Sequence, residues 1–307
     1  MDVSVIIVNY NTLEMTQTCI NSVFDKTSGL EFEIILVDNG STDGSKEHFE
    51  QDKRITYVYS EENLGFGRAN NLGYAQAKGE YLFFLNSDTY LLNNAIYLLW
   101  KGLKEHDEKT RNVACAGTML LDTNENIIHS YAKFPSKWRN FLIISLYVVL
   151  WKLHILKSLP STSNYGYEIE KESAVFDVDY ITGADLMVKK DVADRYGLFD
   201  SDFFMYCEET EMEHRYMKKG LRRIIVQGPK IVHLEGKSNA KHSPKRVTMV
   251  MCSSFLYQKK TSKKFVYYCY RATYKFVYIL IYLLCFPFVN GKCTEKVRHI
   301  VNVINIK

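Results

Sequence analysis

Three apolar runs near the start of the chain each break off into small polar residues. Val3-Ser4-Val5-Ile6-Ile7-Val8 runs into Asn9-Tyr10-Asn11, and Phe32-Glu33-Ile34-Ile35-Leu36-Val37 runs into Asp38-Asn39-Gly40-Ser41-Thr42-Asp43. Glu80-Tyr81-Leu82-Phe83-Phe84-Leu85 runs into Asn86-Ser87-Asp88. Near-continuous apolar runs of this length predict strands buried on both faces of a parallel sheet. In such sheets ligands sit outside the carboxyl ends of the strands. Turn and cap chemistry accounts for any one of these polar ends. Three that carry Asn, Asp and Ser to one edge point at one site.

Helices are expected between the strands. Thr12 is placed to cap a helix over Leu13 to Phe24, with Met15, Cys19, Ile20 and Val23 on its buried face. Ser41-Thr42-Asp43 opens a short helix over 44–51, and Ile55-Thr56-Tyr57-Val58 reads as a further strand. Glu62 to Asn71 then leads into a helix that ends near Ala77. Gly65 and Gly67 allow close backbone approach there, and the helix N-terminus is expected to offer free N–H groups to a phosphate. The spacing is neither the dinucleotide fingerprint GxGxxG nor the phosphate loop GxxxxGK[ST]. A nucleotidyltransferase would show a Gly-rich loop with Arg or Lys after the first strand; Asn9-Tyr10-Asn11-Thr12 stands there instead.

A chain of 307 residues that is 47% hydrophobic holds a large α/β domain with appendages and is not wholesale disorder. The net charge of +4 is unevenly spread, since Gly236 to Thr294 contains no Asp or Glu. That stretch suggests an anionic surface as partner. Seven scattered Cys without CxxC pairs imply reduced thiols, not a disulfide frame or zinc site. The first strand begins almost at Met1, so no signal peptide is expected. Phe141 to Trp151, flanked by Lys137, Arg139 and Lys152, is too short for a bilayer span of ~20 residues. A buried helix and an interfacial helix both remain open for it. Leu159 to Ser173 reads as a polar loop. Lys259-Lys260 and Lys263-Lys264 precede Phe265 to Tyr270, Arg271 and Lys275, and Phe276 to Val289 is almost wholly apolar with Pro287 inside it. Aromatic residues beside Lys and Arg suit a membrane–water interface; a packed or dimerising helical hairpin is the other reading. No nucleic-acid recognition module accompanies this charge.

Taken in order, the motifs resemble the inverting family 2 glycosyltransferases of GT-A fold, and within them the rhamnosyltransferase-like branch. The resemblance is carried by Val5 to Asn11, Val37 to Asp43, Asn63-Leu64-Gly65-Phe66-Gly67-Arg68-Ala69-Asn70-Asn71 and Leu85-Asn86-Ser87-Asp88. Ile181-Thr182-Gly183-Ala184, Phe204-Met205-Tyr206-Cys207-Glu208-Glu209-Thr210-Glu211 and Val232-His233-Leu234-Glu235-Gly236 continue it. Each motif alone is weak; the ordered set over residues 1–240 is strong.

The resemblance implies a Rossmann-like mixed sheet flanked by helices in residues 1–240, with a nucleotide-binding half in 1–90 and an acceptor and catalytic half in 91–240. Residues 241–307 would be a basic, apolar helical extension that attaches to the cytoplasmic face of a bacterial inner membrane. The donor would be a dTDP- or UDP-linked sugar, with rhamnose favoured by the branch, and the acceptor a glycan or lipid-linked oligosaccharide. Asp38 would accept from the base, with Val8, Asn9, Tyr10, Asn39, Asn63, Gly65, Phe66, Asn70, Asn86 and Ser87 completing the donor site. Asn86-Ser87-Asp88 stands where the family has Asp-x-Asp, so Asp88 and His233 would hold Mn2+ or Mg2+ against the diphosphate. Inversion needs one carboxylate to take the acceptor proton. The family uses the second acid of a Glu-Asp pair, here Glu209, with Glu208 and Glu211 as competitors; Glu for Asp moves the oxygen by ~1.5 Å. Gly183, Ala184 and Asp185 would line the acceptor side. Because Asn86 and Glu209 both depart from the family pattern, a catalytically decayed scaffold of the same fold is the alternative.

Overall fold

The computed structural model describes residues 1–135, 174–234 and 244–285. The Phe141 to Trp151 run, the Leu159 to Ser173 loop and the chain beyond Cys285 lie outside the described residues. The chain divides into two compact units. The first comprises Met1–Lys133, Gly166–Phe204 and Glu208–Ser238; the second comprises Phe134–Tyr165, Met205–Cys207 and Asn239–Lys307.

The first unit is built on an eight-stranded sheet. Its strands are β1 (Val3–Asn9), β2 (Phe32–Asp38), β3 (Thr56–Tyr59), β4 (Tyr81–Asn86), β6 (Val113–Thr118), β8 (Val175–Asp177), β10 (Asp185–Lys189) and β11 (Arg222–Val226). Their spatial order is β3-β2-β1-β4-β10-β6-β11-β8. The first four are mutually parallel and β6 runs parallel to β11, while β10 enters antiparallel between β4 and β6. β8 closes the far edge antiparallel to β11.

Alternation along the strands divides the core into two layers. Val3, Val5 and Ile7 join Ile34, Leu36, Phe83 and Leu85 on one face, against Cys19, Ile20 and Val23 of α1 (Leu13–Lys26) and Ile96, Leu99 and Leu103 of α4 (Ala95–Thr110). Ile6, Ile35, Val37, Leu82 and Phe84 form the other face. They pack against Ala69 of α3 (Phe66–Tyr74), Val192 of α5 (Lys190–Tyr196) and Met212 and Tyr216 of α6 (Glu208–Lys218). Each fully buried aliphatic side chain contributes about 1.5–3 kcal/mol. The only polar position inside β1 before its end, Ser4, is satisfied by Glu33 Oε1 at 2.7 Å and by the Gly79 amide at 2.8 Å.

Two local expectations are corrected. On α1 the buried face includes Thr16 where Met15 was expected, and Met15 is only half-buried. Thr12 occupies the N-cap position, but its hydroxyl turns to Asn9 Oδ1 at 2.8 Å, and the Leu13 amide donates to Asp43 Oδ2 at 3.0 Å. Asp43 likewise accepts the Ser45 amide, so α2 (Ser45–Phe49) opens after Gly44.

Two small antiparallel pairs complete this unit. β5 (Thr89–Leu91) pairs with β12 (Ile231–His233), and β7 (Tyr131–Ala132) pairs with β9 (Tyr180–Ile181). In the second unit α7 (Pro244–Thr261) and α8 (Lys264–Cys285) pack through Met251, Phe255 and Tyr267, with Tyr270 and Tyr274 against them. Ser253 Oγ donates to the Met205 carbonyl at 2.6 Å. No helix among the described residues is long and apolar enough to cross a membrane.

Candidate active site

The carboxyl ends of β1, β2 and β4 meet in a dense polar knot. Asp38 is wholly buried; its Oδ1 accepts the Ser41 amide at 3.0 Å and its Oδ2 accepts the Tyr57 hydroxyl at 2.9 Å. Burial first, then the hydrogen bond and charge of Asp38, push the Tyr57 phenol far above its ordinary range. Asn9 is equally buried. Its Nδ2 donates to Ser41 Oγ, while its Oδ1 accepts from Thr12 and Thr16. The side chain of Asn9 therefore shapes the turn. Val8 is half-buried beside it and Tyr10 is 46% exposed. Asn39 ties β2 to the next loop: Nδ2 donates to Asn63 Oδ1 at 3.1 Å and Oδ1 accepts the Leu64 amide at 2.8 Å.

Gly65 takes a φ of +83°, and a Cβ there would lie 2.0 Å from the Phe204 carbonyl oxygen. Only glycine fits. The Gly65 amide donates to Asn63 Oδ1 at 2.9 Å, and the Phe66 amide donates to the Phe204 carbonyl at 2.8 Å. The first N–H of α3 is thus spent within the protein. Asn70, 1% exposed, donates to the Phe66 carbonyl. Glu208 is 3% exposed and packs beside Gly67, whose missing Cβ would lie 3.6 Å from Glu208 Cβ and Cγ.

At the end of β4 the Asn86 amide donates to the Ala184 carbonyl at 3.0 Å, and Ser87 Oγ lies 3.1 Å from Thr12 Oγ1. Asp88 follows. Pairing of β5 with β12 sets Thr89 opposite His233, and the Leu234 amide donates to the Asp88 carbonyl at 2.9 Å. This clamp brings His233 Nε2 to 3.2 Å from Asp88 Oδ1, with both side chains mostly shielded from solvent. Adjacent ligands of an octahedral cation with ~2.1 Å bonds are about 3 Å apart, so the two atoms fit as neighbours on one ion. No group of three or more His, Cys, Asp and Glu with metal-binding geometry occurs among the described residues. A cation held here would draw its remaining ligands from substrate or water.

The acidic end of α6 faces this edge. Glu209 is partly exposed, yet loss of hydration raises its carboxyl above the ordinary value. Gly183 lies between it and the donor side: a Cβ on Gly183 would stand 3.3 Å from the Phe66 ring and 3.9 Å from Glu209 Cβ. Glu211, 4% exposed, is held by Arg215 Nε at 2.8 Å, which removes it as a competing base. Tyr206 and Cys207, just before α6, adopt left-handed backbone with φ of 72° and 66°, a strained conformation for such residues.

Asp185 does not line an acceptor. It is wholly buried at the start of β10, and its Oδ2 accepts from the Thr118 amide at 2.7 Å and Thr118 Oγ1 at 2.6 Å. Burial pushes its carboxyl up to about 7, against the opposing effects of Thr118 and the His233 charge. Glu213, outside every motif singled out in the sequence, belongs to the same helix face as Glu209. Its carboxyl is wholly buried, accepts the Ile181 amide at 3.0 Å and lies 3.8 Å from Cys115 Sγ. Burial, with the nearby charge of Glu209, raises it well above the carboxylate range. The available signal was spacing: Glu209, Glu213 and Tyr216 share one helix face.

Residues 4–146 match the family described as Glycosyl transferase family 2. The chain is 36% identical over 109 residues to glycosyltransferase GlyG of Streptococcus pneumoniae serotype 4, covering 34% of this chain and 36% of that protein. It is 41% identical over 90 residues to TuaG of Bacillus subtilis (strain 168), a glycosyltransferase named for teichuronic acid biosynthesis, covering 28% of this chain and 35% of that one. The matches thus span about a third of these relatives' lengths. A solved structure of GalNAc-T7 with UDP, GalNAc and Mn2+ superposes with a TM-score of 0.56 at 16% identity, over 85% of this chain and 49% of that chain. At that identity the likeness is one of fold, and the fold is GT-A-like: a mixed sheet flanked by helices.

Proposed function

We propose that this protein is an inverting glycosyltransferase of cell-surface polysaccharide synthesis. It moves a sugar from a UDP- or dTDP-linked donor to a hydroxyl of a glycan or lipid-linked acceptor; the order of motifs favours rhamnose carried by thymidine diphosphate. The observation that carries the reading is the Asp88–His233 pair at the end of β4, whose Oδ1 and Nε2 stand 3.2 Å apart. Its support is the family 2 match over residues 4–146 and the polysaccharide-directed name of TuaG.

In this reading the knot around Asp38, Asn39 and Asn63 receives the nucleoside, and Asp88 and His233 hold Mn2+ or Mg2+. The cation, when bound, supplies charge that stabilises the leaving diphosphate. Glu209 accepts the proton of the acceptor hydroxyl as the oxygen bonds to the anomeric carbon and the bond from that carbon to the diphosphate oxygen breaks. Its raised carboxyl is better matched to this work near neutral pH than an ordinary glutamate. Gly183, without a side chain, lets the Phe66 ring and Glu209 close together on the acceptor side.

The test is thermal stabilisation of the purified protein by nucleoside diphosphates and their sugars, with Mn2+, Mg2+ or EDTA, beside Asp88→Ala. A shift with uridine or thymidine diphosphate that needs metal and is lost in Asp88→Ala supports the donor site. No shift with any nucleotide, in protein shown to be folded, overturns it.

A further inference from the structure

Helix α8 carries a second surface that the transfer chemistry does not use. Tyr267, Tyr270 and Tyr274 turn toward Met251 and Phe255 of α7, with Phe255 5.0 Å from the Tyr274 ring and 5.6 Å from Tyr270. On the other side Phe265 is 78% exposed, Tyr268 52%, Phe276 65% and Ile279 42%. With exposed Ala272 between them, these positions follow intervals of three and four residues, so they form one stripe along the helix. Lys264, Arg271 and Lys275 each stand one residue before a member of the stripe, about 100° round the helix. They line one flank of it. Exposed Lys259, Lys260 and Lys263 add charge at the α7–α8 junction.

We propose that this stripe lies in the surface of an anionic bilayer, with Phe265, Phe276 and Ile279 in the acyl boundary and the Lys and Arg heads among the phosphates. The charge selects this occupant. A stretch from 236 to 294 without one Asp or Glu has no acidic group to pair with a second copy of itself. A self-association through this face would set like charges together, whereas anionic headgroups neutralise them. Long basic side chains flanking exposed aromatics are the arrangement by which amphipathic helices lie in an interface. As described, the helix is not long and apolar enough to cross a membrane.

Flotation of the full chain with vesicles tests this. The full chain is expected to float with an equal mixture of phosphatidylcholine and phosphatidylglycerol, to float far less with phosphatidylcholine alone, and to be released by salt. Arg271→Gln with Lys275→Gln is expected to weaken binding about thirtyfold. Phe265→Ser with Phe276→Ser is expected to abolish it while leaving the melting temperature unchanged, since both side chains are exposed. Failure to float with either vesicle overturns the proposal, as does flotation that neither pair of substitutions alters. A concentration-dependent dimer lost with the two Phe→Ser changes overturns it in favour of a second copy. Nucleotide plays no part in these assays, so their outcome is independent of the donor-site test.

Discussion

Glu213 accepts the backbone amide of Ile181 at 3.0 Å, joining α6 to the strand that leads directly into Gly183. The same helix thus grips one end of the 181–183 segment through Glu213 and lies against the other through Glu209. Glu213→Gln keeps an acceptor for that amide and is expected to leave stability near wild type. Glu213→Leu leaves the amide buried without a partner and is expected to cost about 1–3 kcal/mol. Urea unfolding of the two variants side by side checks this; equal losses would show that the hydrogen bond is not what matters.

Glu209→Gln is expected to lower transfer roughly 100- to 10,000-fold with nucleotide-dependent stabilisation retained. Glu208→Gln is expected to lower it far less. Because burial raises the Glu209 carboxyl, the acidic limb of the kcat profile should lie above the ordinary glutamate range, with activity rising as the group loses its proton. An acidic limb near pH ~4 would point to another base.

His233→Ala and Asp88→Asn each remove one of two neighbouring ligand atoms. Either change should weaken Mn2+-dependent nucleotide binding by more than about tenfold, the effect usual for losing even an outer partner of a metal site. Titration calorimetry with uridine or thymidine diphosphate, with and without metal, measures it. Unchanged affinity in both variants would leave the pair as an ordinary buried contact.

Gly65 and Gly220 have similar backbone angles, φ +83° and +76°, but only Gly65 faces a carbonyl; nothing lies within 4 Å of a Cβ at Gly220. Gly220→Ala should therefore cost about 1 kcal/mol for left-handed backbone alone. Gly65→Ala should cost more, because Phe204 must move as well. Thermal melts of the two variants decide whether the clash adds to the strain.

The buried Asp185 gives a pH signature. A carboxyl whose folded value is raised contributes stability that is whole below its unfolded value and is lost as pH rises through the folded one. Here the window runs from 3.8 to about 7, a difference worth roughly 4 kcal/mol. Asp185→Asn should gain on wild type across that window and hold its gain above it. Parallel stability curves for the two proteins would remove the buried ionisation from the account.

The apolar runs of β1, β2 and β4 were legible because their length, closeness and polar ends leave few other folds. The ordered motifs also placed Asp88 and His233 at one edge before any geometry was known. What escaped depends on partners far along the chain. Thr12 has the chemistry of a cap, but Asn9 competes for its hydroxyl and Asp43 takes the vacancy. Nothing near Phe66 signals that its amide meets Phe204. Asp185 lies beside residues read as acceptor-lining, and period-two alternation cannot say which face of a short strand holds a Thr118. Glu213 sat in an acidic helix start that reads as solvated until Tyr216 marks the same face as internal.

The insertion of β10 between β4 and β6 bears on how the molecule is made. Among the described residues β6 pairs with β10 and β11, so while the first 184 residues leave the ribosome it lacks both of these ladder partners, and the β4 edge that β10 will cover is open. Unpaired edges of this kind recruit other chains. A fragment cut at residue 146, the limit of the family match, would keep both defects for good and should precipitate on expression. β10 covers β4 first, when Ala184 meets Asn86; chain through β11 is the shortest length at which β6 is paired on both sides, and the polar edge is complete only when β12 brings His233 to Asp88.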